Sequence, residues 1–302
     1  MPANSVWPEL PAQNWQPTRD TLILWLQVVG KIRLARTPLL NHWWNAPLYL
    51  TSRGLTTSLI PGGGGRSFSI DLDFLAHHLD VTTTRGETRS MELQEKSVKD
   101  FYAELMELLQ TLDLTTRIWP VPVELEDAIP FPDDATHSSY DPAAVTAFWR
   151  TLVEAERVFD QFRARFVGKS SPVHLFWGAL DLATTRFSGR SAPPHAGGVP
   201  NCGPHVMHEA YSHEVSSCGY WPGGEGEGIF YSYAYPEPDG YRTMPAGSDA
   251  ARFDDELGEF VLPYTVVRRT AEEPEVVLLS FLQRTYEAAA ITGGWDRLAL
   301  ER

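Results

Sequence analysis

The chain has 302 residues, enough for one large domain or two ordinary ones, and 43% of them are hydrophobic, so a sizeable core can be buried. Its 25 basic and 39 acidic residues give a formal charge of −14, which argues against a nucleic-acid backbone or an anionic membrane surface as the main partner. Cys202 and Cys218 are the only cysteines and form no CxxC, so neither a disulfide framework nor a cysteine-rich zinc site is indicated.

The opening MPANSVWPELPAQNW pairs no basic segment with an apolar run, and no later stretch offers about twenty uninterrupted apolar residues; a soluble, cytoplasmic protein is expected. TRDTLILWLQVVGKIRLAR carries Leu22, Leu26 and Val29 at helical intervals, which predicts a helix from Thr18, as N-cap, to about Leu34, closed by Pro38. HWWNAPLYLTSRGLTT is aromatic and β-branched with a rough period of two and reads as a strand. PGGGG at 61–65 lacks the GKS/T ending of a phosphate loop and reads as a turn. Beyond it Phe68, Ile70, Leu72 and Phe74 alternate with Ser69, Asp71 and Asp73, and RGETRSMELQ returns as the second arm of a hairpin.

SVKDFYAELMELLQTLDL places Val98, Phe101, Leu105, Leu108 and Leu112 on one helical stripe behind Ser97 as N-cap. The proline-rich WPVPVELEDAIPFPDDATHSSYDP reads as an extended surface connector, and a long helix follows with Asp141 as N-cap and Pro142 in its first position. HEAYSHEVSS, GIFYSYAYPE and LGEFVLPYTVV read as strands, PEVVLLSFLQRTYEAAAIT as a closing helix, and WPGGEGEG at 221–228 as either a flap or a hairpin loop. The second half repeats the grammar of the first: aligning Trp44 with Trp177 pairs Arg53 with Arg186, and His42 leads one strand as His174 leads the other. The expected class is α+β, with two degenerate repeats of antiparallel sheet plus flanking helices at 1–130 and 131–302 forming one compact unit.

The signatures NHWW, PLYLTSRGLTT, DFYAELM, IWPVPVE, FVGKSSPVHLFWG, TTRFSGR, PPHAGGVP, EAYSHEVSS and AYPEP resemble an uncharacterised bacterial family, domain of unknown function 5996, over almost the entire chain. The resemblance implies no activity. The family pattern includes His42, Arg53, His77, His174, Arg186, Arg190, His195, Glu209, His213 and Glu214, whereas His208 departs from it, arginine being more usual there.

Chemistry concentrates between Val173 and Glu214, which hold five of the nine histidines. HEAYSHE is not the zinc-protease HExxH: its histidines are five apart, and on a helix they point about 140° away from each other. On a strand, Glu209, Tyr211 and His213 share a face. With His174 from a neighbouring strand, Glu209 and His213 would give two histidines and a carboxylate, a set suited to divalent iron, zinc or manganese. The same residues could instead form buried hydrogen bonds, and His42 is either a further ligand or a relic of the repeat. Arg53, Arg186 and Arg190 stand at strand ends, where a guanidinium can grip a carboxylate or pair internally with Asp71, Asp181 or Glu214. The expectation is therefore a metal-dependent enzyme, oxidative or hydrolytic, acting on a small, partly apolar, carboxylate-bearing substrate. Its metal ligands would be His174, Glu209 and His213, its catalytic residues Glu214, Arg186 and His42, and its substrate contacts Arg53, Arg190, Trp177 and Tyr211. The alternative is a non-catalytic small-molecule-binding protein with a structural His/Glu/Arg network.

Overall fold

The computed structural model describes residues 6–223 and 226–302; Gly224 and Glu225 of the expected glycine-rich loop, like the first five residues, lie outside the described residues. Helix α1 (Ala12–Arg36) begins a turn and a half before the expected start. Thr18 is therefore no cap: it is buried, and its hydroxyl accepts a hydrogen bond from the backbone of Asp141 at 2.9 Å. Trp15, buried against the Phe148 ring at 5.2 Å, makes extending the helix through Pro17 favourable, and the Thr21 hydroxyl donates to the Pro17 carbonyl.

The aromatic stretch after α1 is not one strand. His42 and Trp43 have φ of 56° and 59°, a left-handed pair that turns the chain through a short 3-10 segment, Asn41–Trp43. Only then do β1 (Tyr49–Leu50) and β2 (Gly54–Thr56) pair. With β3 (Ile60–Gly63), β4 (Arg66–Asp73), β5 (His78–Thr83) and β6 (Thr88–Glu92) they form an antiparallel sheet in the order β1-β2-β4-β5-β6, β3 pairing with β4. Phe68, Ile70 and Leu72 are buried on one face as the alternation required. Helix α2 (Val98–Thr111) starts at Ser97, whose hydroxyl accepts from the Asp100 amide, a cap worth about 1 kcal/mol.

The connector lies along α1 rather than crossing open surface. Gln27, fully buried in α1, donates to the Val123 carbonyl at 3.0 Å and accepts from the Val123 amide at 2.8 Å; Lys31 donates to the Val121 carbonyl at 2.9 Å. Helix α3 (Pro142–Ala164) carries the expected Asp141 cap, which accepts from the amides of Ala143 and Ala144.

The second antiparallel sheet runs β11-β12-β10-β9-β8-β7, from β7 (His174–Phe176), β8 (Asp181–Ser191), β9 (His213–Trp221), β10 (Ile229–Tyr235), β11 (Arg252–Asp254) and β12 (Glu259–Pro263). Between β8 and β9 lies helix α4 (Pro204–Ala210), which corrects the strand expected over HEAYSHEVSS. Pro204 at the first helical position and the helix formers Met207, Glu209 and Ala210 outweigh the strand preference of the residues behind them. The strand expected over LGEFVLPYTVV likewise stops at Pro263, where α5 (Tyr264–Arg269) begins, followed by α6 (Pro274–Thr292) and α7 (Arg297–Leu300).

The class is α+β: helix, antiparallel sheet, helix on each side of the connector. His42 and His174 are not equivalent residues in it, since one sits in a 3-10 turn and the other opens β7. The two sheets meet edge to edge, Leu48 and Leu175 exchanging hydrogen bonds of 3.0 and 2.8 Å. Among the described residues no helix is long and apolar enough to cross a membrane.

Candidate functional site

One face of the second sheet is covered by α3 and α6. The other is the floor of a cavity of about 720 Å³, within the usual size range of small-molecule sites. Strand alternation builds the floor: Asp181, Ala183, Thr185 and Phe187 from β8, Val215 and Ser217 from β9, Tyr231 and Tyr233 from β10. Gly219 of β9 faces Tyr231 in this register, and a Cβ there would come within 2.5 Å of the Tyr231 phenol. That glycine lets the ring lie down and donate to the Asp181 carboxylate at 2.7 Å. The walls come from the first half: Lys31 and Leu34 of α1, Trp43 and Trp44 of the 3-10 turn, and Trp119 and Glu124 of the connector; α4 closes the remainder with Val206, Met207 and Ala210.

Of the residues expected at the site, His42, His174, Trp177 and Tyr211 border this cavity. Trp177 donates to the Ala46 carbonyl at 2.9 Å and lies flat on Gly30 of α1, where a Cβ would come within 2.2 Å of the indole nitrogen. The Tyr211 hydroxyl bonds that of Tyr233 at 2.8 Å, and His195 stacks on the Tyr211 ring at 4.7 Å. His174 is buried with its Nδ1 unpartnered, and its pKa is pushed down to about 3 by burial, then by Arg163 and Arg33. It is a neutral imidazole among aromatic rings, 4.6 Å from Phe176.

His42 is held at both nitrogens. Its Nδ1 lies 3.0 Å from the Ala210 carbonyl, so it donates there, and its Nε2 then accepts from the Lys169 ammonium at 2.7 Å. Burial, then the neighbouring Lys169 and His213, hold its pKa below the ordinary value against the opposing Ala210 bond. Glu209 accepts from the His42 amide at 3.1 Å, and the His213 ring is 5.6 Å from that of His42.

These placements do not fit the expected metal centre. Glu209 ends α4 instead of sharing a strand face with His213, His42 has no free nitrogen, and His174 is enclosed among aromatic rings and repelled by two arginines. Among the described residues no group of three or more His, Cys, Asp or Glu side chains is arranged to hold an ion.

The arginines also lie elsewhere. Arg53 is exposed on the first sheet, paired with Asp73. Arg186 is 1% exposed on the helix-covered face of the second sheet, its guanidinium 3.5 Å from the Phe162 ring and 4.2 Å from that of Tyr286, donating to the Phe162 carbonyl. Arg190 bonds Glu214 at 2.8 Å and the Gly293 carbonyl at 2.5 Å, tying β8 and β9 to the end of α6. The expectation that Arg53 or Arg186 faces a cleft is therefore corrected. Side-chain alternation sends Arg186 to the helices, and Arg190 and Glu214 satisfy each other.

The cavity holds groups that the sequence did not single out. Glu124, expected on a surface connector, turns inward over Gly178, where a Cβ would come within 2.0 Å of its carboxylate oxygen. Among the described residues its carboxyl has no hydrogen-bond or ion-pair partner. Protein atoms crowd it although the cavity leaves it accessible, and its pKa is pushed up to about 7, by burial first and then by Asp181. Asp181 is pushed up to about 6 by burial, partly offset by the Tyr231 hydroxyl. Glu259 of β12 shares the floor's face, two residues from Val261, the partner of Tyr231; burial and then Asp181 raise its pKa to about 7. Lys31 is lowered to about 8 by burial and lies over the Trp119 ring at 4.8 Å. The signal for Glu124 was the IWPVPVE signature, which ends on it.

A model of a family of unknown function, DUF5996, matches residues 7–302. The chain belongs to this family. Among the curated proteins and the solved structures nothing matches it. The family match runs from the first described tryptophan through to the C-terminal arginine, so α1, the connector and the second sheet, all of which border the cavity, belong to one family unit.

Proposed function

We propose that the protein is an enzyme that binds a small, partly apolar molecule in the aromatic cavity and acts on it by metal-free acid–base chemistry, with Glu124 transferring the proton. The observation that carries this reading is the unpartnered Glu124 carboxyl, which opens on the cavity with a pKa pushed up to about 7. A group poised near neutrality exchanges protons in both directions at low cost, which is why such carboxyls mark acid–base sites. Tyr231 orients Asp181, whose charge adds to the crowding by protein atoms that chiefly raises the Glu124 pKa. Among the described residues the metal-dependent reading finds no ligand set, and Arg53, Arg186 and Arg190, expected to grip a carboxylate, lie outside the cavity.

The test is untargeted. Purified protein and its Glu124→Gln variant are incubated with a metabolite extract, and both bound and consumed compounds are followed by mass spectrometry. The expected result is a compound retained by both proteins and converted only by the wild type. Retention without conversion by either protein would favour the non-catalytic binding alternative, and absence of retention would remove the cavity from consideration.

A further inference from the structure

Two carboxyls from separate elements border the cavity beside its tyrosines, Glu124 from the connector and Asp181 from β8, while Glu259 of β12 stands on the same sheet face without lining the cavity. Asp181 acts on both glutamates, and all three bear on the phenol of Tyr211. Among the described residues none has a basic partner. Four other enclosed acids do have an arginine: Glu227 with Arg268 at 2.6 Å, Glu214 with Arg190 at 2.6 Å, Glu301 with Arg297 at 2.6 Å, and Asp73 with Arg53. The basic groups on the cavity wall, Lys31 and Arg117, belong to α1 and the start of the connector, and Lys31 is already held by the Val121 carbonyl. The tyrosine end thus presents carboxyls without a counter-charge to open space, flanked by π faces: Tyr231 and Tyr233 stack at 6.2 Å, and Tyr211 bonds Tyr233. Carboxylates and aromatic faces attract the same species, a weakly hydrated cation.

We propose that the cavity recognises an organic ammonium ion, its nitrogen seated between Glu124 and Asp181 against the tyrosine rings and its apolar body toward Trp177 and Phe187; this rests on the small-molecule reading above. It reverses the sign of the substrate expected from the arginines. The cation replaces the missing counter-charge, so its arrival ionises carboxyls that the empty cavity keeps partly protonated, and binding releases protons near neutral pH.

Three probes that share a phenethyl body and differ in charge decide the matter: phenethylammonium, 2-phenylethanol and 3-phenylpropanoate, titrated at pH 8 by calorimetry against the full-length protein. Phenethylammonium should bind at least ~10-fold more tightly than the alcohol, and 3-phenylpropanoate most weakly. Asp181→Asn and Glu124→Gln should each lose most of that ~10-fold preference for the ammonium over the alcohol, and Arg190→Ala should change nothing. The selectivity of the wild type stands even if one variant does not fold. Alcohol or carboxylate binding as tight as that of the ammonium, or unaltered selectivity in both acid variants, would overturn the inference while leaving a small-molecule cavity in place. Failure of all three probes would overturn both.

Discussion

Glu124 and Arg186 show how differently protein atoms can crowd a charged residue, the one still open to the cavity and the other sealed. Among the described residues Glu124 has no hydrogen-bond or ion-pair partner, and its folded pKa of about 7 lies above the ordinary carboxyl value of 4.5. The folded protein therefore holds this proton more tightly than the unfolded chain. The stability it confers is fully present below about 4.5 and is lost as pH rises through about 7. Glu124→Gln keeps the neutral shape, so its melting temperature should overtake that of the wild type progressively between pH 5 and pH 8; a constant difference across that range would show that Glu124 does not titrate there. Arg186, by contrast, is enclosed by Phe162, Phe166 and Tyr286, and its Nε and one terminal nitrogen lack partners. Arg186→Met, which fills the same space without a charge to desolvate, should cost less stability than Arg186→Ala, whose void costs about 2–5 kcal/mol, and neither should alter cavity binding. A loss of probe affinity in Arg186→Met with an intact fold would return this arginine to the site.

At the scale of elements, Gly30 sets two effects against each other. In an exposed helix interior Gly→Ala gains about 1 kcal/mol, but here the added Cβ would press into the Trp177 indole, which is rigid and anchored to the Ala46 carbonyl. Overpacking of that kind costs about 1–3 kcal/mol, so Gly30→Ala should lower stability and reshape the cavity wall, visible in chemical denaturation and in tryptophan fluorescence. A stabilised variant would mean that Trp177 moves freely. The same scale shows what could be read from residues alone. Helices α2 and α3 were legible because Ser97 and Asp141 cap them and their apolar stripes keep one period; β4 and β10 were legible because Phe68, Ile70 and Leu72, and the tyrosines of β10, alternate. The His42 turn and α4 were not. Two left-handed residues cannot be foreseen in an aromatic run, and a seven-residue helix begins and ends before any periodicity shows. The cavity was half legible: His42, His174, Trp177 and Tyr211 border it, while Glu124 was hidden because a proline-rich connector gives no pattern that says which side chain turns inward.

For the whole molecule, the site belongs to neither half alone. The second sheet supplies the floor, but α1, the 3-10 turn and the connector come from residues before Pro130 and supply the walls. A fragment spanning residues 131–302 should therefore fail to bind the ammonium probe even if it retains its secondary structure, and adding residues 1–130 in trans should restore binding to the extent that Leu48 and Leu175 re-form their edge pairing. Binding by the isolated second half would place the ligand elsewhere than in this cavity.

Gln27 extends this dependence into time. Its buried amide imitates a peptide group: it meets the Val123 backbone as a neighbouring strand would, and the same Nε2 reaches the Gly178 carbonyl at 3.3 Å in the turn between β7 and β8. The segment bearing Glu124 and the turn beneath its carboxyl are thus latched by one side chain that never touches the ligand. Any movement of the connector away from that turn must first undo this latch. Gln27→Leu should accordingly speed association and dissociation of the probe together in stopped-flow fluorescence while changing its equilibrium affinity little, making Gln27 a residue that governs how long a ligand stays rather than how well it fits.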